Sequence, residues 1–368
     1  MRIGITCYPT YGGSGIVATE LGLELAARGH EVHFITYANP IRLDDRPGIF
    51  YHEVEVSTYP LFQYPPYCLS LASRMAEVAQ MANLDLLHVH YAIPHSVSAM
   101  LARGILAGQR RLPFVTTLHG TDISLVGTDP GLFPITKYSI EQSDGVTAIS
   151  SYLEKETRDV FGITQPISVI HNFVNLDSYC PRPDSARKGR RPRLIHLSNF
   201  RPVKRVLDCV QVFARVRKEV DAEMWMAGDG PDRGACERLA RELGVLPHIQ
   251  FLGKRKDVPA LLRDADVLLM PSEMESFGLA ALEAMASGVV PVGTAVGGVP
   301  ELISDGRTGY LCAVGDVEAQ ARRVIELCQS ESLHARLAQA ARREAEDRFS
   351  TTALIPQYEN MYRQMIER

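Results

Sequence analysis

Ile3-Gly4-Ile5-Thr6-Cys7 is a short apolar run, Gly12-Gly13-Ser14-Gly15 is a glycine-rich turn, Ile16–Ala27 is a helical pattern stopped at Gly29, and Glu31–Thr36 is a second strand. Strand, glycine turn, helix, strand is the unit of a doubly wound parallel sheet, so an α/β class is expected. Working outward, Leu84–His90, Phe114–Leu118 and Val146–Ile149 read as further strands. Their carboxyl ends carry His90-Tyr91, His119-Gly120-Thr121-Asp122 and Ser150-Ser151. In such sheets ligands collect at those ends.

Between Asn172 and Arg193 the rhythm breaks at Pro181, Pro183 and Pro192, with the basic run Arg187-Lys188-Gly189-Arg190-Arg191. No aromatics interleave those charges, so a solvated linker is expected in place of a nucleic-acid patch. The pattern restarts with strand Arg193–Leu197, loop Ser198–Lys204, helix Val206–Glu219 and strand Glu223–Ala227. Ile249–Phe251, Val267–Met270, Val289–Val292 and Gly309–Cys312 supply later strands. Two similar domains follow, and 368 residues suit two α/β domains of roughly 100–200 each. The final segment Ala353–Ile366, with Tyr358, Met361, Tyr362 and Ile366 near helical spacing, is a closing helix.

With 46% hydrophobic and 22% charged residues the composition is that of a globular chain. A net charge of −4 gives no pull toward nucleic acid or an anionic membrane. No apolar stretch approaches the roughly 18 residues of a membrane span, and Met1–Thr6 enters a strand without a signal-peptide core, so a cytoplasmic protein is expected. Seven scattered cysteines, with no C-x-x-C pair, read as reduced small hydrophobes. No D-x-D-type cluster suggests a metal, and no cofactor is implied. The sequence leaves a homo-oligomer open.

The chemistry concentrates in Pro271-Ser272-Glu273-Met274-Glu275-Ser276-Phe277-Gly278-Leu279-Ala280-Ala281-Leu282-Glu283-Ala284-Met285. Ser276 can cap a helix beginning at about Phe277, making the N–H groups around Phe277-Gly278-Leu279 an anion or hydroxyl site. Glu283 lies eight residues beyond Glu275, on the order of 12 Å if the helix ran throughout. That exceeds the roughly 5–9.5 Å of a glycosidase carboxylate pair and suits two ends of one long ligand. A capped helix with two surface glutamates is the plain alternative. The loop Leu197-Ser198-Asn199-Phe200-Arg201-Pro202-Val203-Lys204-Arg205 feeds a helix, where a phosphate would meet N–H groups and cations. Gly13 and Ser14, in the first glycine turn, can approach a donor phosphate or an acceptor. Gly228-Asp229-Gly230-Pro231 follows a strand and reads as a turn.

The Glu275/Glu283 spacing is an E-x7-E motif, and together with Gly297-Gly298-Val299-Pro300-Glu301 it resembles the family-four retaining GT-B glycosyltransferases. The likeness runs over nearly the whole chain. It implies an α/β GT-B fold with two Rossmann-like, doubly wound domains facing an interdomain cleft. Residues 1–171 with 350–368 would form the acceptor side, the last helix crossing back, and 172–349 would bind the nucleotide sugar. The resemblance implies a catalytic set of Lys204, Arg201, Glu275 and His119. Glu275 would hold hydroxyls of the transferred sugar, Glu283 the ribose and Lys204 the diphosphate. Many members have arginine where Asn199 stands, with Arg201 two places on as its candidate replacement. Gly228, Ser276, Phe277, Gly278 and Leu279 would border the donor. His119 would line the sugar pocket, or it is a satisfied buried histidine.

Ile3–Pro9, Phe62–Tyr67, His88–His95, Thr117–Ile123 and Ser198–Arg201 are similar to a member that uses UDP-N-acetylglucosamine and L-malate and forms an α-glycoside and UDP. Ser14, Tyr91, Thr121, Lys137 and Arg201 would then serve the malate carboxylates. A sister enzyme with an inositol-phosphate or lipid acceptor and a non-catalytic nucleotide-sugar sensor stay open. A nicotinamide-dependent oxidoreductase would share the sheet, but its G-x-G-x-x-G fingerprint with an acidic partner is missing.

Overall fold

The computed structural model describes all residues except 11, 57–60, 62, 125 and 183–188. Phe62, Pro183 and the Arg187-Lys188 part of the basic run lie outside the described residues. The chain divides into two compact units, residues 1–172 with 352–368, and residues 173–351.

In the first unit the strands are β1 (Arg2–Thr6), β2 (Glu31–Thr36), β3 (Ile49–Glu53), β4 (Leu86–His90), β5 (Phe114–Leu118), β6 (Gly145–Ala148) and β7 (Ser168–Val169). Among the described residues they form one seven-stranded sheet in the order β3-β2-β1-β4-β5-β6-β7. In the second unit β8 (Arg193–Leu197), β9 (Glu223–Ala227), β10 (Ile249–Gly253), β11 (Val267–Met270), β12 (Val290–Thr294) and β13 (Tyr310–Cys312) form a six-stranded sheet in the order β10-β9-β8-β11-β12-β13. The pairings are parallel in both sheets. Both units therefore carry the doubly wound order expected from the sequence, with the strand order reversing between β1 and β4 and between β8 and β11.

Central strands such as Leu86–His90 and Val267–Met270 are buried throughout, and the second reads as an unbroken apolar run for that reason. The unexpected strands are β3 and β7. In β3, at the sheet edge, Phe50 and Tyr51 stay exposed, so the run lacks the signature of a buried strand. β7 spans only Ser168–Val169.

The closing helix, Thr351–Glu367, packs in the first unit with Tyr358 and Tyr362 fully buried. The stretch after Asn172 departs from a solvated linker. Phe173, Val174 and Tyr179 are buried, and the Arg342 guanidinium donates to the Tyr179 carbonyl at 2.6 Å. Arg190 of the basic run pairs with Asp266 at 2.7 Å. No helix among the described residues is long and apolar enough to cross a membrane. All seven cysteines are free thiols.

Candidate functional site

In the second unit the loops after β8 and β11, on either side of the strand-order reversal, are joined by one ion pair. β8 ends at Leu197, and its loop reaches a single 3-10 turn, Pro202–Lys204, in which the Lys204 N–H donates to the Arg201 carbonyl at 2.8 Å. β11 ends at Met270 and leads to Glu275. The Lys204 Nζ donates to Glu275 Oε1 at 2.6 Å, with both side chains largely shielded. The Glu273 N–H donates to the Val203 carbonyl at 2.8 Å, so the two loops are stitched by backbone as well as by charge.

Glu275 is also held from a third loop. The Gly298 N–H donates to the Glu275 carbonyl at 3.0 Å. Gly297 sits at φ +55°, and a Cβ there would lie 1.8 Å from that carbonyl oxygen, so only glycine permits the approach.

The helix after Glu275 begins later than the sequence suggests. It spans Leu279–Ala286, and Gly278, at φ +99° and ψ 51°, is the residue before it. Ser276 is therefore not its cap, because the left-handed Gly278 interrupts the turn between them. The separation of about 12 Å inferred for an unbroken helix loses its basis for the same reason. Its N-cap position, Gly278, brings no side chain, and its first turn holds no acidic residue. Its leading N–H groups thus keep the partial positive charge that suits an anion. By contrast, the helix Val206–Val216 has Asp208 in its first turn, paired with Arg205 at 2.7 Å. That start carries its own carboxylate, leaving Lys204 and the exposed Arg201 as the cations of the loop.

Glu283 is buried and accepts the Tyr179 hydroxyl at 2.6 Å, so neither glutamate is a simple surface group. Asn199 is exposed beside the buried Phe200, which adopts φ +43°. His196 holds this loop. Its Nδ1–H donates to the Leu269 carbonyl at 2.9 Å, and its Nε2 accepts the Ser198 hydroxyl at 2.7 Å. Burial lowers the His196 pKa to about 4, so the ring stays neutral and can accept. Ser198 Oγ in turn accepts the Phe200 N–H at 3.2 Å. Gly228, at φ +129°, lies so close to this loop that a Cβ would sit 1.7 Å from the Ser198 carbonyl oxygen. Close backbone packing thus accounts for that glycine.

The first unit places different chemistry at its own strand-order reversal. Tyr8, just past β1, packs on His95 with ring centroids 4.6 Å apart and meets Tyr91 edge-on at 5.2 Å. Tyr91 stacks on His119 at 5.4 Å. His90 Nδ1 and His119 Nε2 share a hydrogen bond of 2.9 Å, so one proton lies between them. Burial, with His95 nearby, lowers the His119 pKa to about 3. Burial likewise takes His88 to about 3 and His95 to about 4, and drives His90 well down. His119 is therefore a neutral hydrogen-bonding ring at neutral pH.

Asp122 ties the loops after β4 and β5 together, its carboxylate accepting the N–H groups of Ala92 at 3.0 Å, His119 at 3.1 Å and Gly120 at 2.9 Å. Burial raises its pKa and those three donors oppose the rise. Thr121, next to it, is exposed.

The helix Gly13–Ala27 starts at exposed Gly12 and Gly13 with no side-chain cap and no acid in its first turn; Ser14 is half-buried there. Gly15 is a packing glycine, since a Cβ would fall 2.2 Å from the Tyr8 carbonyl oxygen. Lys137 is engaged elsewhere, donating to the Phe161 carbonyl at 2.6 Å and pairing with Glu141 at 3.6 Å. Ser150 caps the helix Ser151–Phe161 by accepting the Leu153 N–H at 3.1 Å.

Sequence reading gave no role to Ser272, Tyr179, His196 or Asp122. Tyr179 meets its partner only through folding, whereas Asp122 lies beside His119-Gly120, Ser272 three residues before Glu275 and His196 two residues before Ser198, which are local signals.

Two parallel doubly wound units, one carrying an ion pair and a buried glutamate at its strand ends, match known families over most of the chain. Residues 11–178 match Glycosyltransferase Family 4, and residues 181–344 match Glycosyl transferases group 1. With the relative described next, these matches show that the chain belongs to the family 4 glycosyltransferases of GT-B fold. It is 48% identical to the N-acetyl-alpha-D-glucosaminyl L-malate synthase of Bacillus anthracis, across 98% of this chain and 96% of that protein. A D-inositol 3-phosphate glycosyltransferase of Streptomyces avermitilis is 29% identical across 91% of this chain and 79% of its own length. Among solved structures, Anabaena HepE in complex with UDP and glucose superposes with a TM-score of 0.80 at 20% identity, covering 98% of this chain and 99% of that one.

Proposed function

We propose that this glycosyltransferase moves N-acetylglucosamine from UDP-N-acetylglucosamine to the hydroxyl of L-malate with retention of configuration, the opening step of bacillithiol assembly. The observation that carries the donor half is the Lys204–Glu275 ion pair at the strand-order reversal of the second unit, with Glu283 on the helix that follows. Support for the malate half is the 48% identity to the malate synthase.

Breaking the bond between the anomeric carbon and the phosphate leaves negative charge on UDP. Lys204 and Arg201, with the glycine-led start of Leu279–Ala286, balance that charge, and one such preorganised donor is worth roughly 3–4 kcal/mol. Ser276, Phe277 and Gly278 lead the donor to that helix start, and Asn199 and Gly228 shape the loop beside it. Glu275 accepts sugar hydroxyls and Glu283 the ribose hydroxyls. The malate hydroxyl attacks from the face that the diphosphate leaves, and its proton passes to the departing phosphate oxygen. His119, being neutral, offers the sugar a hydrogen bond and no proton for catalysis. Ser14, Tyr91 and Thr121 in the first unit serve the malate carboxylates. Lys137 is the weakest acceptor candidate, because Phe161 and Glu141 already hold its ammonium.

The test is UDP release from UDP-N-acetylglucosamine with L-malate, D-malate or inositol phosphate, with and without a chelator, and identification of the product by mass. Release that needs L-malate and survives the chelator, giving N-acetylglucosaminyl malate, is expected. Release with inositol phosphate alone would overturn the malate assignment. UDP binding without turnover on any acceptor would point to a sensor.

A further inference from the structure

Ser272 lies two residues past the end of β11 and is fully buried. Its hydroxyl donates to Glu275 Oε1 at 2.9 Å, the same oxygen that takes the Lys204 ammonium at 2.6 Å. A carboxylate offers about four lone-pair sites on two oxygens, and here both internal donors converge on one of them. Glu275 is also held from the main chain through Gly298 and Gly297, and the Ser272 carbonyl accepts the Thr294 hydroxyl at 2.5 Å.

We propose that Ser272 is a positioning residue for the donor sugar. By sharing Oε1 with Lys204 it fixes the rotation of the Glu275 carboxylate and presents Oε2 to a sugar hydroxyl. Alanine would fill nearly the same space, so the hydroxyl is there for its bond and not for packing. The proposal rests on the donor role of Glu275 given above.

The test titrates UDP and UDP-N-acetylglucosamine separately into the wild type, Ser272→Ala, Ser272→Thr and Glu275→Gln, with kcat and donor KM and the thermal midpoint recorded for each. For Ser272→Ala the expected result is UDP affinity within about twofold of wild type and a loss of roughly 10-fold for the nucleotide sugar and in kcat, the scale of one hydrogen bond to a charged group. Ser272→Thr, which keeps the hydroxyl, should recover most of that loss. Equal losses for UDP and the nucleotide sugar in Ser272→Ala would mean a loosened loop and overturn the proposal, as would no change in either. Wild-type binding of the nucleotide sugar by Glu275→Gln would overturn the underlying donor role as well.

Discussion

The two units share a sheet order and differ in what fills the strand ends where that order reverses. In the first unit those ends hold a wall of buried imidazole and half-buried phenol rings, the imidazoles neutral because burial lowers their pKa values to about 3 or 4. The second unit places a cation and a carboxylate 2.6 Å apart, beside a helix whose N-cap position is a glycine. The same backbone logic therefore yields a hydrogen-bonding surface in one unit and a charged one in the other. The chemistry is set by a few loop residues and not by the fold. A leaving diphosphate needs the charged kind, and that division of labour can be attacked from both sides.

The largest effect should come from Lys204→Ala, which removes the ammonium paired with Glu275 and, in the proposed mechanism, a cation from the leaving group. We predict a fall in kcat of about 100-fold or more, measured as UDP release. Near-normal turnover would break the contrast between the units at its strongest point.

Next in size is Gly297→Ala. The added Cβ would meet the Glu275 carbonyl oxygen at 1.8 Å from a backbone at φ +55°, so the loop must move. Roughly 10-fold loss of activity and about 1–3 kcal/mol of stability are expected, read from kinetics and denaturant unfolding.

The first unit should reveal itself through acid. Its buried histidines have folded pKa values below the unfolded value of about 6.5, so the unfolded chain binds more protons as pH falls. Stability is then full above about pH 6.5 and is lost progressively toward the folded values of about 3 to 4, at most about 1.4 kcal/mol per histidine per pH unit. Thermal midpoints between pH 7 and 5 check this, and His90→Gln should flatten the slope. A midpoint independent of pH over that range would contradict neutral burial.

The smallest expected effect is Ser150→Ala, where loss of the cap on Ser151–Phe161 costs about 1 kcal/mol in unfolding with kcat unchanged.

Periodicity made the buried strands legible. Glu31–Thr36, Phe114–Leu118, Arg193–Leu197, Glu223–Ala227 and Val267–Met270 stand in the structure with the bounds expected from sequence. The edge strand Ile49–Glu53 escaped because its exposed Phe50 and Tyr51 leave no buried-strand pattern. Helix starts were harder. Ser276 has the chemistry of a cap, yet the left-handed Gly278 two residues on decides where the helix Leu279–Ala286 begins. At the strand ends, residue types were readable and pairings were not. Nothing local links Lys204 to Glu275 or Tyr179 to Glu283, since each contact closes only when distant loops fold together. Composition could not show that Lys137 is occupied by the Phe161 carbonyl.

The measurement that most directly tests the division between the units is a crystal structure of the protein with UDP. The account predicts the diphosphate within hydrogen-bond distance of Lys204 and the ribose hydroxyls on Glu283. A nucleotide seated instead on Gly12–Gly15 and the His90–His119 wall would contradict it.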